Sequence, residues 1–388
     1  MSEMTRTTAD VGGENGGGIY VHLPYCASRC GYCAFVVTTD SSSRSEYLKA
    51  LAHEMDLVAN EATGTGFDSI YLGGGTPSLL PPGEIGRLLD RLRERFDVVN
   101  GVEITLEANP EDVTPQGRDA WIAAGVTRVS VGVQSFEDRE LLAVGRRHDA
   151  RRAREAFGIL ASSGLSLSGD LILGLPDQTA ASLRRSVEAL CESRVEHISV
   201  YLLETEKSKV LEEDRRARPH RYLSDDEQAE LWLEMGETLA GRGFAHYEIS
   251  NWARPGSEAR HNLKYWTRTP TLGLGVSAHE FWGGRRRSNA SAVPLYLEHL
   301  SRGERPTALD RAVGAEEEAT ERIVLGLRLS VGVLRAEVED WIDRHGDPRL
   351  RSDYAAWREE GLLRVGDDRV GLTERGYLLS NEVLCRFV

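Results

Sequence analysis

Residues 18–35 read GIYVHLPYCASRCGYCAF. The first part, IYVHL at 19–23, has the apolar, β-branched character of a strand. Cys26, Cys30 and Cys33 follow it with the spacing C-x3-C-x2-C, and the two remaining cysteines, Cys191 and Cys385, lie far along the chain. Three thiolates can each hold one iron of a cubane 4Fe–4S cluster and leave the fourth iron open to a small ligand. A structural zinc site of three cysteines and one histidine is the competing reading, with His22 near enough in sequence to serve. The flanking residues argue for the cluster.

Outward from this stretch the pattern repeats. Further β-rich runs are SIYLGGG (69–75), VEITLEA (102–108), VTRVSVGV (126–133), LSLSGDLILG (165–174) and VEHISVYLL (195–203). Amphipathic segments separate them, clearest in EYLKALAHEMDLV (46–58) and GEIGRLLDRLRERF (83–96), where apolar residues recur at helical spacing. Six strand–helix units in succession predict an α/β fold with a parallel sheet and right-handed crossovers, a partial (β/α)6 barrel of TIM type that does not close. In such barrels the site lies at the C-terminal ends of the strands, where the cysteine loop falls.

The expected organisation is a disordered tail over 1–18, the partial barrel over 19–206, a mixed extension over 207–290 and a helical region over 291–388. The stretch 207–222 reads as a charged loop, and 261–290 shows aromatics and glycines without a clear period. The last thirty residues read helix, strand, turn, strand, helix, which is a winged-helix pattern. The 388 residues carry a net charge of −14, which argues against nonspecific nucleic-acid binding, and no basic face marks the winged region as a DNA reader. The arginines at 285–287 and at 215, 216 and 218 read as solvated loops. Five cysteines do not make a disulfide framework, and a thiolate cluster needs a reducing compartment, so a cytoplasmic protein without a membrane span is expected.

A cluster with an open iron can chelate an amine and a carboxylate, which the methionine end of S-adenosylmethionine offers, and an electron from it can cleave the sulfonium to a 5′-deoxyadenosyl radical. Residues suited to such a ligand stand at successive strand ends: Gly73-Gly74-Gly75-Thr76-Pro77, Glu107 in LEANP, Gln134 in GVQSF and Asp170 in GDLILGLP. Arg146, in GRRH, is a candidate to pair with a carboxylate.

Together these motifs resemble the radical S-adenosylmethionine superfamily. Within it they resemble the branch of oxygen-independent coproporphyrinogen dehydrogenase and the HemW-like heme chaperones, from Ile19 to the end of the chain. The resemblance implies that Cys26, Cys30 and Cys33 ligate a 4Fe–4S cluster and that Tyr20 packs against S-adenosylmethionine. It also implies that Gly74, Gly75 and Thr76 line the methionine part, and Glu107, Gln134, Arg146 and Asp170 the rest of the pocket. Dehydrogenases of this branch carry a further cysteine two residues after the third, where this chain has Phe35, and a long N-terminal arm where this chain has 18 weakly structured residues before its first strand. Both departures point away from decarboxylation of coproporphyrinogen.

His261-Asn262-Leu263-Lys264-Tyr265-Trp266 matches the H-N-x-x-Y-W motif associated with heme in the chaperones. Taken alone, the residues favour a buried histidine with aromatics in a core. The resemblance turns the reading to heme, with His261 as axial ligand, Asn262 beside it, and Tyr265 and Trp266 packed on the porphyrin. His279, in SAHEF, is a second candidate ligand. The expected function is a heme chaperone passing heme to an apo-hemoprotein such as a respiratory enzyme, with flavodoxin or ferredoxin as electron donor and a homodimer as the expected assembly. The alternatives are a coproporphyrinogen III dehydrogenase and a metal-cluster regulator contacting DNA.

Overall fold

A computed structural model describes residues 16–345 and 348–388. Most of the expected tail, residues 1–15, lies outside the described residues. Its last part corrects the sequence reading, because Gly17 and Gly18 already belong to the first strand. The reason is steric: a Cβ on Gly18 would lie 2.9 Å from the Lys264 side chain and 3.1 Å from the His261 ring, so the glycines are where the strand passes close over a helix.

The six expected strands form a parallel array: β1 (Gly17–Leu23), β2 (Gly66–Gly74), β3 (Asp97–Ala108), β4 (Arg128–Gln134), β5 (Ser166–Leu173) and β6 (His197–Leu202). Helices such as Arg44–Val58, Pro82–Arg95 and Ala180–Glu192 return between them and bury their apolar faces against the outward strand residues, with Tyr47, Leu51, Leu89 and Leu190 inaccessible to solvent. The sheet then grows at both edges. Beyond β6 lies a hairpin of β7 (Ala245–Glu248) and β8 (Asn251–Ala253). Beyond β1 lie β9 (Thr271–Leu274), parallel to it, and antiparallel β10 (His279–Trp282), β11 (Arg285–Asn289) and β12 (Thr307–Ala312). Among the described residues the order is β12-β11-β10-β9-β1-β2-β3-β4-β5-β6-β8-β7.

Three readings change. The charged stretch after residue 207 holds a helix, Lys209–Ala217, capped by Ser208. The region 261–290 continues the barrel sheet through three short strands. Residues 291–312 belong to the first core as well, since Tyr296 and Leu300 are buried in it. The C-terminal unit therefore starts with the helix Ala315–Gly326. It has its own core around Ile323, Trp341, Trp357 and Phe387, and a small sheet of β13 (Val333–Leu334), β14 (Leu363–Val365) and β15 (Arg369–Leu372) in the order β13-β15-β14. The order helix, strand, two helices, two strands is that of a winged helix. The helix Pro348–Glu359 that would read DNA carries both signs of charge, with Arg351 paired to Asp343 and Asp353 to Arg386.

The helix Arg260–Trp266 plugs the N-terminal end of the barrel. His261 and Lys264 are buried under it, and Trp266 packs with Tyr247 and Leu329 where the barrel meets the C-terminal unit. No helix among the described residues is long and apolar enough to cross a membrane.

Candidate cofactor site

The loop after β1 is pinned along its length. Cys26 N–H donates to the Thr38 carbonyl and Thr38 N–H to Pro24, which closes the loop at its base. Gly31 N–H donates to Val144, and the Ser208 hydroxyl to the Gly31 carbonyl, which ties the tip to two other segments. His22 holds the far side, with Nε2 at 2.9 Å from the Val36 carbonyl and Nδ1 at 3.1 Å from the Tyr20 hydroxyl. Both ring nitrogens of His22 are thus engaged away from the thiols. Among the described residues no three His, Cys, Asp or Glu side chains converge on one ion position. A zinc site needs such convergence, whereas in a cubane each thiolate has its own iron.

Cys26, Cys30 and Cys33 line one side of a cavity of about 420 Å³ at the C-terminal ends of the strands. Its wall also holds Gly74, Gly75, Thr76, Glu107, Gln134, Arg146 and Asp170. Seven of the eight expected positions are thus brought together from β2, β3, β4 and β5 and the segments that follow them. Tyr20 is not on that wall. Its ring stacks on Tyr71 at 6.1 Å within the barrel, and its hydroxyl supports His22.

The glycines serve the chain as well as any ligand. Gly75 N–H bonds Leu23 and Thr76 N–H bonds Tyr25, so the end of β2 runs against the start of the cysteine loop. A Cβ on Gly75 would fall 2.7 Å from the Pro24 carbonyl carbon, and Gly74 has φ +108° with the His22 ring 2.7 Å from a Cβ. No other residue fits here.

A polar chain crosses the cavity floor. Arg146, largely buried, donates Nη2 to the Gly132 carbonyl (2.6 Å) and Asn109 Oδ1 (2.7 Å). Asn109 Nδ2 donates to Thr76 Oγ1, which donates to Cys26 Sγ at 3.4 Å, and Arg146 Nη1 stands 3.6 Å from Cys30 Sγ. Two thiols therefore face donors, which suits thiolates. Burial, the leading influence, pushes the Cys26 and Cys33 thiols up and the neighbouring cysteines add to it, whereas bound cationic iron would favour the thiolate form. Gln134 adopts φ +70° at the end of β4, where the register with β5 slips, a strained backbone held at the cavity wall.

Glu107 and Asp170 give the cavity its charge. Glu107 accepts the Tyr71 hydroxyl (2.8 Å) and Gly74 N–H (3.1 Å), and Asp170 accepts the Ser130 hydroxyl (3.1 Å). Burial pushes Glu107 up to about 7, with repulsion from Asp170 adding to it, and pushes Asp170 up to about 6. Two half-buried acids that form no ion pair among the described residues, three facing thiols and the partnerless buried Nε of Arg146 fit a cluster and a sulfonium-bearing amino acid. Sequence reasoning passed over Asn109, Ser130 and Tyr71, although Asn109 lies in the quoted LEANP motif and Ser130 and Tyr71 share the inward face of their strands with Gly132 and Gly73.

A pH dependence follows. A bound cation favours the ionised acids, so binding S-adenosylmethionine releases protons wherever Glu107 or Asp170 is protonated in the empty cavity. Affinity is expected to rise as pH climbs through about 6 and about 7 and then to level off. The gain is at most about tenfold per pH unit for each proton released. Calorimetry in buffers of different ionisation enthalpy checks it, and a flat profile contradicts it.

The HNLKYW motif lies elsewhere. His261 is inaccessible to solvent, with Nδ1 2.9 Å from Ser69 Oγ and Nε2 3.0 Å from the Tyr265 hydroxyl. Burial lowers its pKa to about 3, so the ring is neutral. Asn262 and Trp266 are half-buried, and Tyr265 is exposed. His279 is exposed on β10.

Residues 20–190 match the Radical SAM superfamily model. Across the whole chain, the heme chaperone HemW of Mycobacterium tuberculosis (strain CDC 1551 / Oshkosh) is 36% identical over 372 residues, 95% of this chain and 93% of the relative. That of Escherichia coli (strain K12) is 33% identical over 386 residues, 95% and 97% of the two chains. The solved structure of coproporphyrinogen III oxidase (HemN) from Escherichia coli, described as a radical SAM enzyme, superposes with a TM-score of 0.84 at 24% identity, covering 96% of this chain and 90% of that one. This chain belongs to the HemW family of the radical SAM superfamily.

Proposed function

We propose that the chain is a heme chaperone, which binds heme, carries a 4Fe–4S cluster and an S-adenosylmethionine site, and passes heme to an apo-hemoprotein. The observation that carries this reading is the extent of the kinship: identity to proteins named heme chaperone HemW runs through 95% of the chain, C-terminal unit included. The likeness to the oxidase speaks for the fold, and at the position of that branch's further cysteine stands Phe35, exposed at the cavity mouth.

In this reading Cys26, Cys30 and Cys33 hold the cluster, and Gly74, Gly75 and Thr76 receive the methionine end of the cofactor. Glu107 and Asp170 face its positive charge, while Gln134 and Arg146 complete the wall. Cluster and cofactor, when bound, supply one-electron chemistry at a sulfonium. The chain's own contribution is to orient the thiolates through Thr76 and Arg146 and to hold two partly shielded acids at the cavity wall. The cysteines are free, which suits a reducing compartment such as the cytoplasm. A respiratory hemoprotein as acceptor, flavodoxin or ferredoxin as reductant, and a homodimer complete the proposal.

The test is anaerobic. Cluster-replete protein loaded with hemin is mixed with apomyoglobin, and the same protein is given coproporphyrinogen III, reductant and S-adenosylmethionine with products read by mass spectrometry. Heme transfer without loss of carboxyl groups is expected. Steady decarboxylation would make the chain an enzyme of heme synthesis instead.

A further inference from the structure

A second cleft, of about 260 Å³, opens on the inward face of the sheet extension beside the plug helix. Cross-strand pairing puts His279, Phe281, Arg286, Leu309 and Arg311 on that one face: His279 pairs with Ser288, Phe281 with Arg286, Arg286 with Arg311, and Ser288 with Leu309. In a chain of net charge −14, five of the cleft's twelve lining residues are Lys or Arg and only Glu280 is acidic.

Two of the cations are spent elsewhere: Lys264 on Asp68, and Arg287 on Glu61, Glu280 and Asp310. Arg268, Arg286 and Arg311 are held by carboxylates of the helix Ala315–Gly326, but each keeps a free nitrogen. Arg286 uses Nε and Nη2 on Glu321, Arg311 uses Nη1 and Nη2 on Glu317, and Arg268 uses Nε and Nη1 on Glu321 and Glu318. This leaves Nη1 of Arg286, Nε of Arg311 and Nη2 of Arg268 uncommitted among the described residues. Arg268 and Arg286 also stand over the Phe281 ring, at 4.7 and 4.5 Å from its centre, which fixes them in place. Beside them Tyr265 is 41% exposed and Leu309 43%, large apolar surfaces with nothing on them. The His279 imidazole is exposed and has no partner among the described residues.

A flat apolar ring with two carboxylates on one edge and a metal at its centre answers all three features: guanidiniums with donors to give, exposed aromatic and aliphatic side chains, and a free imidazole. We infer that this cleft receives the carboxylate-bearing edge of heme, with Arg286 and Arg311 on the propionates and His279 on the iron. The inference rests on the heme reading above. It assigns the iron to His279 because His261 is sealed behind Tyr265, with both ring nitrogens bonded. The cleft's volume suits one edge of the macrocycle, and Tyr265 and Leu309 form the shelf for the rest.

The test uses the full chain and two probes, hemin and its dimethyl ester, which has no free carboxylate. Binding is followed by absorbance for the wild type, His279→Ala and Arg311→Glu, all on exposed sites, with thermal melts to show that each is folded. Arg311→Glu is expected to weaken hemin by about tenfold or more and leave the ester unchanged, and His279→Ala to alter the iron spectrum. Hemin bound by all three proteins with one affinity and one spectrum overturns the cleft while the heme reading stands. An equal effect of Arg311→Glu on hemin and ester overturns carboxylate recognition. A wild type that binds no hemin overturns both readings.

Discussion

A chain carrying Cys30→Ser is expected to keep its fold and lose its cluster. Cys30 is half-exposed on a loop held by main-chain bonds at Thr38 and Val144, so the thiol contributes little to packing. Its chemical role is different: with Cys26 and Cys33 it makes the full set of thiols facing the cavity, and a cubane held by two thiolates has two open irons instead of one. Iron and sulfide in the reconstituted variant should fall to a small fraction of the wild-type content, and tight S-adenosylmethionine binding should go with them. The thermal midpoint before reconstitution should move by no more than the fraction of a kcal/mol usual for a surface substitution, within about ±0.5 kcal/mol. Cys191→Ser, on the helix Ala180–Glu192, serves as the control that leaves iron and sulfide unchanged. Full cluster content in Cys30→Ser would remove the loop from the site.

The barrel was legible because each unit states itself locally. A β-branched run ends in a polar residue or glycines and is followed by an apolar pattern at helical spacing. The cavity wall was legible for the same reason, since the C-terminal ends of parallel strands are neighbours whatever the distance in sequence. Glu107 and Asp170 could each be placed at the cavity from the strand pattern alone. The sheet extension was not legible. Strands β9 to β11 have four or five residues each, and Gly283 and Gly284 turn β10 into β11 with positive φ, so no window is long enough to show a period. Arg285, Arg286 and Arg287 read as a solvated loop because nothing in the sequence reveals that Glu321 and Asp310 wait across the sheet. His261 is a different case. Taken alone, its motif favours a buried histidine, and the register of β2, which brings Ser69 beneath it, supplies the buried bond.

That burial makes His261→Ala the costliest single substitution in the motif. The side chain is inaccessible, tilts against Tyr71 at 5.3 Å between ring centres, and holds the hydroxyls of Ser69 and Tyr265. Removing it leaves a ring-sized void and strips the Ser69 hydroxyl of its buried partner. The cost is comparable to truncation of a buried aromatic, about 3–5 kcal/mol. Its pH dependence carries a sign. The folded-state pKa is about 3, below the ordinary value of 6.5, so the unfolded chain takes up a proton that the folded chain refuses. The stabilisation from the neutral ring is complete above about 6.5 and is lost as pH falls towards about 3, at up to about 1.4 kcal/mol per pH unit. Glu54, Glu107 and Glu248, each raised to about 7 by burial, slope the other way in both proteins and cancel in the comparison. The difference in unfolding free energy between wild type and His261→Ala should therefore be large at pH 7.5 and shrink at pH 5. A difference that is small, or that does not shrink on acidification, would mean that His261 is not the sealed, neutral post under the barrel and would return it to the candidates for heme iron.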